Sequence, residues 1–217
     1  MPDFGTLLLF IVALAFSVSF HEFSHGWMAD KLGDPTARIA GRLTMNPIAH
    51  VDPVGTLLLP GIMFLVAGML FGYAKPVPVD ARNLRDPRWD NLKVSLVGPL
   101  SNLVLAAIFA VVWGVMLATV GTEHAAGRLV EMMIGLNCSL TVFNLLPVPP
   151  LDGSWILDAA LPRRAYNTYQ RIKPFGMIVL LVILFLPPLS ALLIRVPREA
   201  LIRAFELLGN GVAGWIT

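Results

Sequence analysis

The sequence predicts an all-α membrane protein, a polytopic bundle of about five or six membrane segments with a small β or irregular element at the cytoplasmic interface. Of its 217 residues, 56% are hydrophobic and only 14% are charged, which is far from an average soluble composition. Apolar stretches recur along the chain, and no polar block is long enough to form a separate soluble module. We therefore expect one membrane-embedded domain over residues 1–217, with a core at 4–157 and accessory helices at 158–217.

The first apolar segment carries a candidate metal-binding motif. Residues 4–20 contain no charge, and the helical pattern continues into the sequence HEFSH at positions 21–25. His21 and His25 lie on one face of a helix, a spacing that suits zinc, while Glu22 can act as a base towards water at the metal. A charge in the middle of a membrane helix costs about 2.5–3.5 kcal/mol, and a cation offsets that cost. Two ligands do not complete a site, so we expect a third from elsewhere in the chain.

The stretch after this helix is irregular. A Gly-Asp-Pro sequence at positions 33–35 ends the helix, and residues 36–56 combine short β-compatible pieces with glycine and proline breaks. Such backbone is tolerated at membrane depth only where protein or water covers it. We expect a small sheet or hairpin near the interface, with Ile39 and Leu43 facing apolar neighbours.

Residues 57–71 are apolar but short, since a full span takes about 20 residues. We expect this segment, which contains several glycines, to enter the membrane and return on the same side. The following sequence KPVPV, at positions 75–79, can only be extended, because each proline biases its neighbour away from helix. Its edge, with Val77 and Val79, can pair with an extended peptide.

Two further apolar helices are predicted at 94–120, with the sequence GPLSN at 98–102, and at 129–146. The second runs into NLLPVPPLDG at 144–153, where three prolines break the helix in the middle of apolar sequence. Asp152 lies just past this break. Because an isolated carboxylate is costly there, we expect it to share the cation of His21 and His25; the alternative is a cap or turn aspartate at the interface.

The direction of each helix decides whether the third ligand can reach the histidines. If residues 57–71 crossed the membrane completely, Asp152 would lie about a membrane thickness from His21 and His25. If that segment re-enters instead, the helices at 94–120 and 129–146 carry Asp152 back to the depth of the histidines. The re-entrant path is therefore the topology we predict.

The distribution of basic residues predicts the orientation. In the re-entrant topology, most of the 16 basic residues fall on the side of the membrane near the metal site: Lys31, Arg38, Arg42, Lys75, Arg82, Arg85, Arg88, Lys93, Arg163, Arg164, Arg171 and Lys173. Positive charge favours the cytoplasm, so we expect a multi-pass protein of the cell membrane with its site towards the cytoplasmic side. The lipid bilayer is its expected surrounding. The net charge of +2 does not indicate a nucleic-acid partner, and the sequence does not fix an oligomeric state.

HEFSH on an early apolar helix and NLLPVPPLDG on a later one together resemble the site-2 protease family of intramembrane zinc metalloproteases. The resemblance extends from the first helix to about residue 157 and takes in GPLSN. The short chain resembles the bacterial and archaeal members that lack PDZ and CBS domains. The resemblance implies one metalloprotease domain with one zinc ion per chain and hydrolysis of peptide bonds in membrane-spanning protein substrates.

The same resemblance implies the roles of individual residues. The zinc ligands are expected to be His21, His25 and Asp152, with Glu22 as the catalytic base. Asn144, which opens the second motif, is expected to help hold the substrate. Val77 and Val79 remain the candidate edge for an extended substrate strand.

Two polar residues and two rival functions stay open at this point. His50 either supports the site or lies in an interfacial loop, and Asn102 either supports the site or forms a helix-to-helix hydrogen bond. A membrane metal transporter would also place such residues in helices, but it should show an inverted repeat, and no second HEFSH-like half is present. A zinc-binding scaffold without catalytic activity is the other alternative.

Overall fold

The computed structural model describes residues 3–67 and 72–217, and no β-strand occurs within these two ranges. The α-helices are α1 (Phe4–Lys31), α2 (Thr36–Ile39), α3 (Pro47–His50), α4 (Leu59–Ala67), α5 (Pro87–Thr119), α6 (Ala125–Asn144), α7 (Asp152–Ala160), α8 (Arg163–Ile172), α9 (Gly176–Phe185), α10 (Pro187–Ser190) and α11 (Val196–Ile216). Pro53–Leu58 and Ala191–Arg195 are π-helical, and Ala81–Asn83 and Lys173–Phe175 are 3-10 turns.

Three helical stretches in the described ranges are long and apolar enough to cross a membrane: Phe4–Lys31, Pro87–Thr119 and Arg164–Phe185. At 1.5 Å per residue, the 28 residues of α1 extend about 42 Å, which exceeds a hydrocarbon core of about 30 Å. The Asp3 carboxylate caps the first turn of α1 by accepting a hydrogen bond from the Thr6 N–H at 2.7 Å. The prediction of an all-α membrane protein is confirmed.

Helices α1, α5 and α6 pack together, and α11 packs along α5 and α6. An apolar cluster of Ala106, Ala110, Val130, Ile134 and Cys138 lies between α5 and α6, with residues of α11 against it. A Cβ atom on Gly114 would lie 2.3 Å from the Gly209 carbonyl oxygen, so the α5 and α11 backbones approach as closely as glycine allows. The sequence predicts only that residues 158–217 form accessory helices; in the structure, α11 of this region is part of the bundle.

The region expected to form a small sheet or hairpin is helical instead, which corrects that part of the prediction. Residues 36–39 and 47–50 form the single-turn helices α2 and α3. Ile39, expected to face apolar neighbours, is exposed. The physical reason is local capping: the Asn46 carboxamide accepts the Ile48 N–H at 3.1 Å, and Pro47 occupies the first helical position.

The residues before and after the segment that contains α4 meet at one place in the structure. The Tyr73 N–H donates to the Gly55 carbonyl at 3.0 Å, and the Thr56 hydroxyl donates to the Tyr73 carbonyl at 2.8 Å. Residues 53–67 are helical between these contacts, while 68–71, the end of the segment predicted to re-enter, lie outside the described residues. The two ends of the segment therefore lie side by side.

Residues 72–80 contain neither helix nor strand and form a strap, which contains the KPVPV sequence. The Lys75 N–H donates to the His50 carbonyl at 3.0 Å, and the Arg42 guanidinium donates to the Lys75 carbonyl at 2.9 Å. At the far end, the buried Asp34 carboxylate accepts the Asp80 N–H at 2.7 Å. No strand is assigned to residues 72–80, and these contacts are isolated hydrogen bonds and not a β-ladder. The extended conformation of KPVPV stays a prediction.

Asp34 anchors this strap as a carboxylate. Burial raises the pKa of Asp34, but hydrogen bonds from Thr36, Asn83 and the Asp80 N–H outweigh it, and the pKa lies below its usual value. The charged form is therefore the one that holds the end of the strap to the turn after α1.

Candidate metal centre

Three potential ligand atoms from α1 and α7 converge at one point. His21 Nε2 and His25 Nε2 are 2.9 Å apart, and Asp152 Oδ2 lies 3.2 Å from the first and 3.3 Å from the second. Asp152 is the first residue of α7, directly after the proline-rich turn, and both histidines are buried. His21, His25 and Asp152, which were predicted to share one depth, do lie together. The re-entrant topology behind that expectation stays a prediction.

Hydrogen bonds on the far side of each imidazole fix which nitrogen carries the proton. His21 Nδ1 lies 2.6 Å from the Asn102 side-chain oxygen, and His25 Nδ1 lies 2.6 Å from the Val94 carbonyl oxygen. Because both oxygens only accept, both Nδ1 atoms must donate. In the neutral rings, each Nε2 then turns a lone pair towards the other and towards Asp152.

These three atoms fit a zinc ion. Asp152 Oδ2 is buried and finds no hydrogen-bond donor among the described residues. Two imidazole lone pairs and a carboxylate oxygen in mutual contact repel one another unless a cation lies between them. Ligands placed tetrahedrally about 2.0–2.2 Å from one ion stand about 3.3–3.6 Å apart. The two separations from Asp152 Oδ2, 3.2 and 3.3 Å, are close to this, and the 2.9 Å between the Nε2 atoms is somewhat shorter. The donor set and its spacing therefore suit zinc.

A glycine on α5 leaves the space in which the two rings lie. A Cβ atom on Gly98 would be 2.3 Å from His25 Nε2 and 2.7 Å from His21 Cε1. Atoms do not approach this closely without displacement, so any side chain here would push the imidazoles apart. Gly98 is the first residue of GPLSN, and its role in this motif is to let α5 touch the candidate ligands.

A buried polar network extends from His21 into the bundle. Asn102 donates through Nδ2 to the Asn137 side-chain oxygen at 2.8 Å, and Asn137 donates to the Ser17 hydroxyl at 2.9 Å. All three side chains are fully buried. Sequence reasoning named Asn102 but missed Asn137, Ser17 and the Val94 carbonyl. The signal for Asn137 was an amide inside an apolar helix; nothing local distinguished the Val94 carbonyl.

The strap reaches the candidate base. The Val77 N–H donates to Glu22 Oε2 at 2.6 Å, and the Val77 side chain is buried against Gly26. Val79 packs instead against a cluster that contains Ala29, Leu84 and Val94. Of the two candidate substrate-binding valines, Val77 therefore contacts the centre and Val79 holds the strap to α1 and α5.

A cavity of about 1060 Å³ opens onto this centre. His21, Glu22 and Asn144 all line it, together with residues of the strap, α6 and α11. Asn144 is the last residue of α6, and its side-chain amide donates to the Leu140 carbonyl at 3.1 Å. The cavity is large enough for a stretch of extended peptide beside the candidate ligands.

His50 lies away from the three ligand atoms. It is fully buried, and its Nε2 is 2.7 Å from the Thr44 carbonyl oxygen. Among the described residues, the group of side chains that could hold a metal is His21, His25 and Asp152, without His50. Its main contact with the site runs through its own carbonyl, which holds the strap. A supporting role of the ring stays a prediction.

The fold and these groups define a membrane-embedded metalloenzyme with two histidines, a carboxylate and a neighbouring glutamate. A comparison with protein families gives a match to the model of peptidase family M50 over residues 9–126 and 115–187. The "Putative zinc metalloprotease YwhC" of Bacillus subtilis is 39% identical over 208 residues, which cover 91% of each chain. The "Putative zinc metalloprotease Rip2" of Mycolicibacterium smegmatis is 31% identical over 191 residues, 86% of this chain and 70% of that protein.

A more distant relative is the "Putative zinc metalloprotease MJ0611" of Methanocaldococcus jannaschii, 27% identical over 166 residues, 72% of this chain and 73% of that protein. No solved structure matches the chain. The chain belongs to peptidase family M50, the site-2 protease family, and it is an intramembrane zinc metalloprotease. The resemblance seen in the two sequence motifs is confirmed, and zinc is the cofactor.

The close approach of Gly98 to the imidazoles generates a prediction. We expect Gly98→Ala to weaken zinc binding by about tenfold or more, since the added Cβ displaces both rings from the arrangement that their hydrogen bonds impose. The measurement is zinc per chain in protein purified through a competing chelator. Gly211→Ala is the matched control, because a Cβ there meets no atom within 4 Å. Full zinc occupancy in Gly98→Ala would contradict the geometry.

Proposed function

We propose that His21, His25 and Asp152 hold the zinc ion and that Glu22 is the general base for hydrolysis of peptide bonds in membrane-spanning substrates. The observation that carries this proposal is the convergence of three lone-pair atoms within 3.3 Å of one another, with Glu22 beside the first of them on the same helix. A membrane metal transporter and a zinc-binding scaffold were the two alternatives that the sequence motifs left open. Neither explains why a carboxylate outside the ligand set lines the cavity beside His21.

Zinc, when bound, lowers the pKa of water to about 7 and polarises a carbonyl oxygen. Glu22 accepts the proton of the attacking water and later donates it to the amine that leaves. His21 and His25 keep their Nε2 atoms directed into the site because Asn102 and Val94 accept the protons on Nδ1. Asn144, on the wall of the same cavity, is placed to hydrogen-bond the substrate backbone.

The strap joins substrate binding to the position of the base. The Val77 N–H holds one oxygen of Glu22, which leaves the other oxygen free to face the water. We propose that the strap also receives an extended substrate segment along its exposed residues. Val77 and Val79 would set how deep this substrate segment lies in the cavity. A peptide bond inside a helix is shielded by its own hydrogen bonding, so an extended substrate conformation is required for attack.

We further propose a re-entrant path around α4 and five or six membrane segments in all. The adjacent ends of this segment at Gly55 and Tyr73 support the re-entrant path, as does the length of the helical part, 53–67, about 22 Å. Helices α6 and α11, of 20 and 21 residues, are long enough to cross beside the three more apolar spans. The polar residues that lower their hydropathy, among them Arg128, Glu131, Arg198 and Glu206, line the cavity.

The metal site is proposed to lie towards the cytoplasm. Most of the basic residues lie in the segments 31–42, 75–93 and 163–173, which are connected to the ends of α1 and α6 nearest to the site and to the start of α5. By the positive-inside rule, positive charge favours the cytoplasm. The opposite end of α5 is joined to α6 by a short turn at residues 120–124. The domain as a whole is proposed to be one metalloprotease unit over residues 1–217.

The assignment of the base is tested with Glu22→Gln. We expect this variant to keep one zinc per chain and to lose cleavage of a transmembrane peptide by about 10²- to 10⁴-fold, because it keeps the ligands but not the proton acceptor. Zinc content and cleavage are measured on the same purified samples. A transporter would instead give metal flux in vesicles, and a scaffold would give no cleavage by either protein; either outcome overturns the proposal.

Proline substitutions at the two valines of the strap distinguish its two proposed roles, which are to position Glu22 and to bind the substrate. Val77→Pro removes the N–H that holds Glu22, whereas the Val79 N–H donates to no described atom, so Val79→Pro leaves the base in place. We expect Val77→Pro to lower kcat about tenfold or more with zinc retained, and Val79→Pro to raise KM. Val77→Ala, which keeps the N–H, is the control. Unchanged cleavage by both proline variants would remove the strap from the mechanism.

The orientation is tested with single cysteines in intact cells. The native Cys138 is fully buried, so the unmodified protein serves as the unreactive control. We expect Glu123→Cys, in the turn between α5 and α6, to react with a membrane-impermeant maleimide from outside. Arg82→Cys, beside the strap, should react only after the membrane is permeabilised. The reverse pattern would place the site on the outer side.

A further inference from the structure

A charged residue of α11 shares the cavity with the catalytic groups. Arg198 lies in the first turn of α11 and lines the same cavity as His21, Glu22 and Asn144. Its Nε donates to the Ser139 hydroxyl at 2.7 Å, and its Nη2 lies 3.7 Å from where a Cβ on Gly135 would be. The guanidinium therefore rests along one turn of α6, on the wall of the cavity.

The polar network gives the depth of this arginine in the bundle. Asn137 contacts Asn102, which contacts His21, so Asn137 marks the level of the metal ligands on α6. Ser139 is two residues further along, an axial offset of about 3 Å. Arg198 therefore lies at about the depth of the metal centre, partly buried against α6.

No carboxylate of the described residues lies within ion-pair distance of this guanidinium. Two carboxylates line the same cavity. Glu131 lies one turn before Gly135 on α6, and Glu206 lies two turns after Arg198 on α11. Neither carboxylate is within 4.0 Å of the Arg198 guanidinium. The partner that the structure shows is the neutral hydroxyl of Ser139, which occupies one of five N–H donors. A charge at this depth is costly, and most such residues pair with an ion or mark a ligand pathway.

We propose that Arg198 binds a carboxylate carried by the substrate and so selects substrates with an acidic group inside the membrane segment. The planar guanidinium matches a carboxylate through two parallel hydrogen bonds, and Nε anchored to Ser139 holds it in place. The carboxylate can come from an Asp or Glu side chain or from a free C-terminus. This inference rests on the proposed function, because it assumes that the cavity receives the substrate.

The test measures binding to a protein that does not cleave, so that it does not depend on catalysis. Fluorescent apolar peptides of about 20 residues are titrated into Glu22→Gln in detergent. Two pairs of peptides are compared. The first pair carries a central Asp or a central Asn, and the second carries a C-terminal carboxylate or a C-terminal amide on an otherwise neutral chain. We expect the matching carboxylate peptide to bind about 10- to 100-fold more tightly than its neutral partner.

Adding Arg198→Gln should abolish that preference while leaving the affinity for the neutral peptides unchanged. Arg203→Gln, on the same helix but outside the cavity, is the control and should keep the preference. The two pairs of peptides show which source of the carboxylate is recognised. Failure of the proposed function would appear separately, as absence of cleavage by the protein with native Glu22.

Two results would overturn the proposal. Equal affinity for acidic and neutral peptides in Glu22→Gln would show that no carboxylate is recognised. A loss of thermal stability of equal size in Arg198→Gln and Glu131→Gln, without any change in peptide preference, would make Arg198 an internal ion-pair partner of α6.

Discussion

The structure depends on the mutual contact of three atoms that can only accept hydrogen bonds. His21 and His25 direct lone pairs at each other because Asn102 and Val94 hold their protons on the far side. Asp152 adds a carboxylate oxygen with no donor among the described residues. Without a cation this contact is repulsive, which supports the proposal that the helices that make it hold a metal ion between them. The site thus helps to hold the start of α7 against α1, although more than 120 residues separate the two helices in the sequence.

The rest of the fold supplies what this contact needs inside a membrane. Gly98 provides room for the rings, and Asn102 and Asn137 bury a polar network where each partner is satisfied. Such a network is stable only when every member finds a partner, which Ser17 completes. The strap, anchored by Asp34, brings a backbone N–H to Glu22, so that the proposed base is held by a main-chain group and not by a side chain. The same strap forms a wall of the cavity that would receive substrate.

Much of the candidate site could be predicted because the types of its side chains and their spacing are visible in the sequence. His21, Glu22 and His25 share one helix, and Asp152 follows a proline-rich break in apolar sequence, where an isolated carboxylate is costly. The helix directions then placed Asp152 beside the histidines. The contacts that could not be predicted depend on tertiary packing. Nothing in the sequence distinguishes the Val94 carbonyl from other backbone carbonyls. Asn137 reaches Asn102 only because α6 packs against α5.

The fold itself was predicted less completely at the interface. Residues 36–50 look compatible with strands, but the Asn46 cap and Pro47 favour a helical turn at 47–50, and the Asp34 carboxylate accepts the Thr36 N–H where α2 begins. No neighbouring strand is present in the described residues to pair with them. Arg198 went unnoticed for a similar reason. In the sequence it belongs to an amphipathic tail, and only the packing of α11 against α6 turns it towards the catalytic cavity.

The most direct test of the central claim is X-ray absorption at the zinc edge on purified protein and on Asp152→Cys. With His21, His25 and Asp152 as ligands, the native protein shows only nitrogen and oxygen neighbours at about 2.0–2.2 Å, and the variant gains one sulfur at about 2.3 Å. A variant that retains full zinc with no sulfur neighbour would show that position 152 does not bind the metal, and would contradict the account.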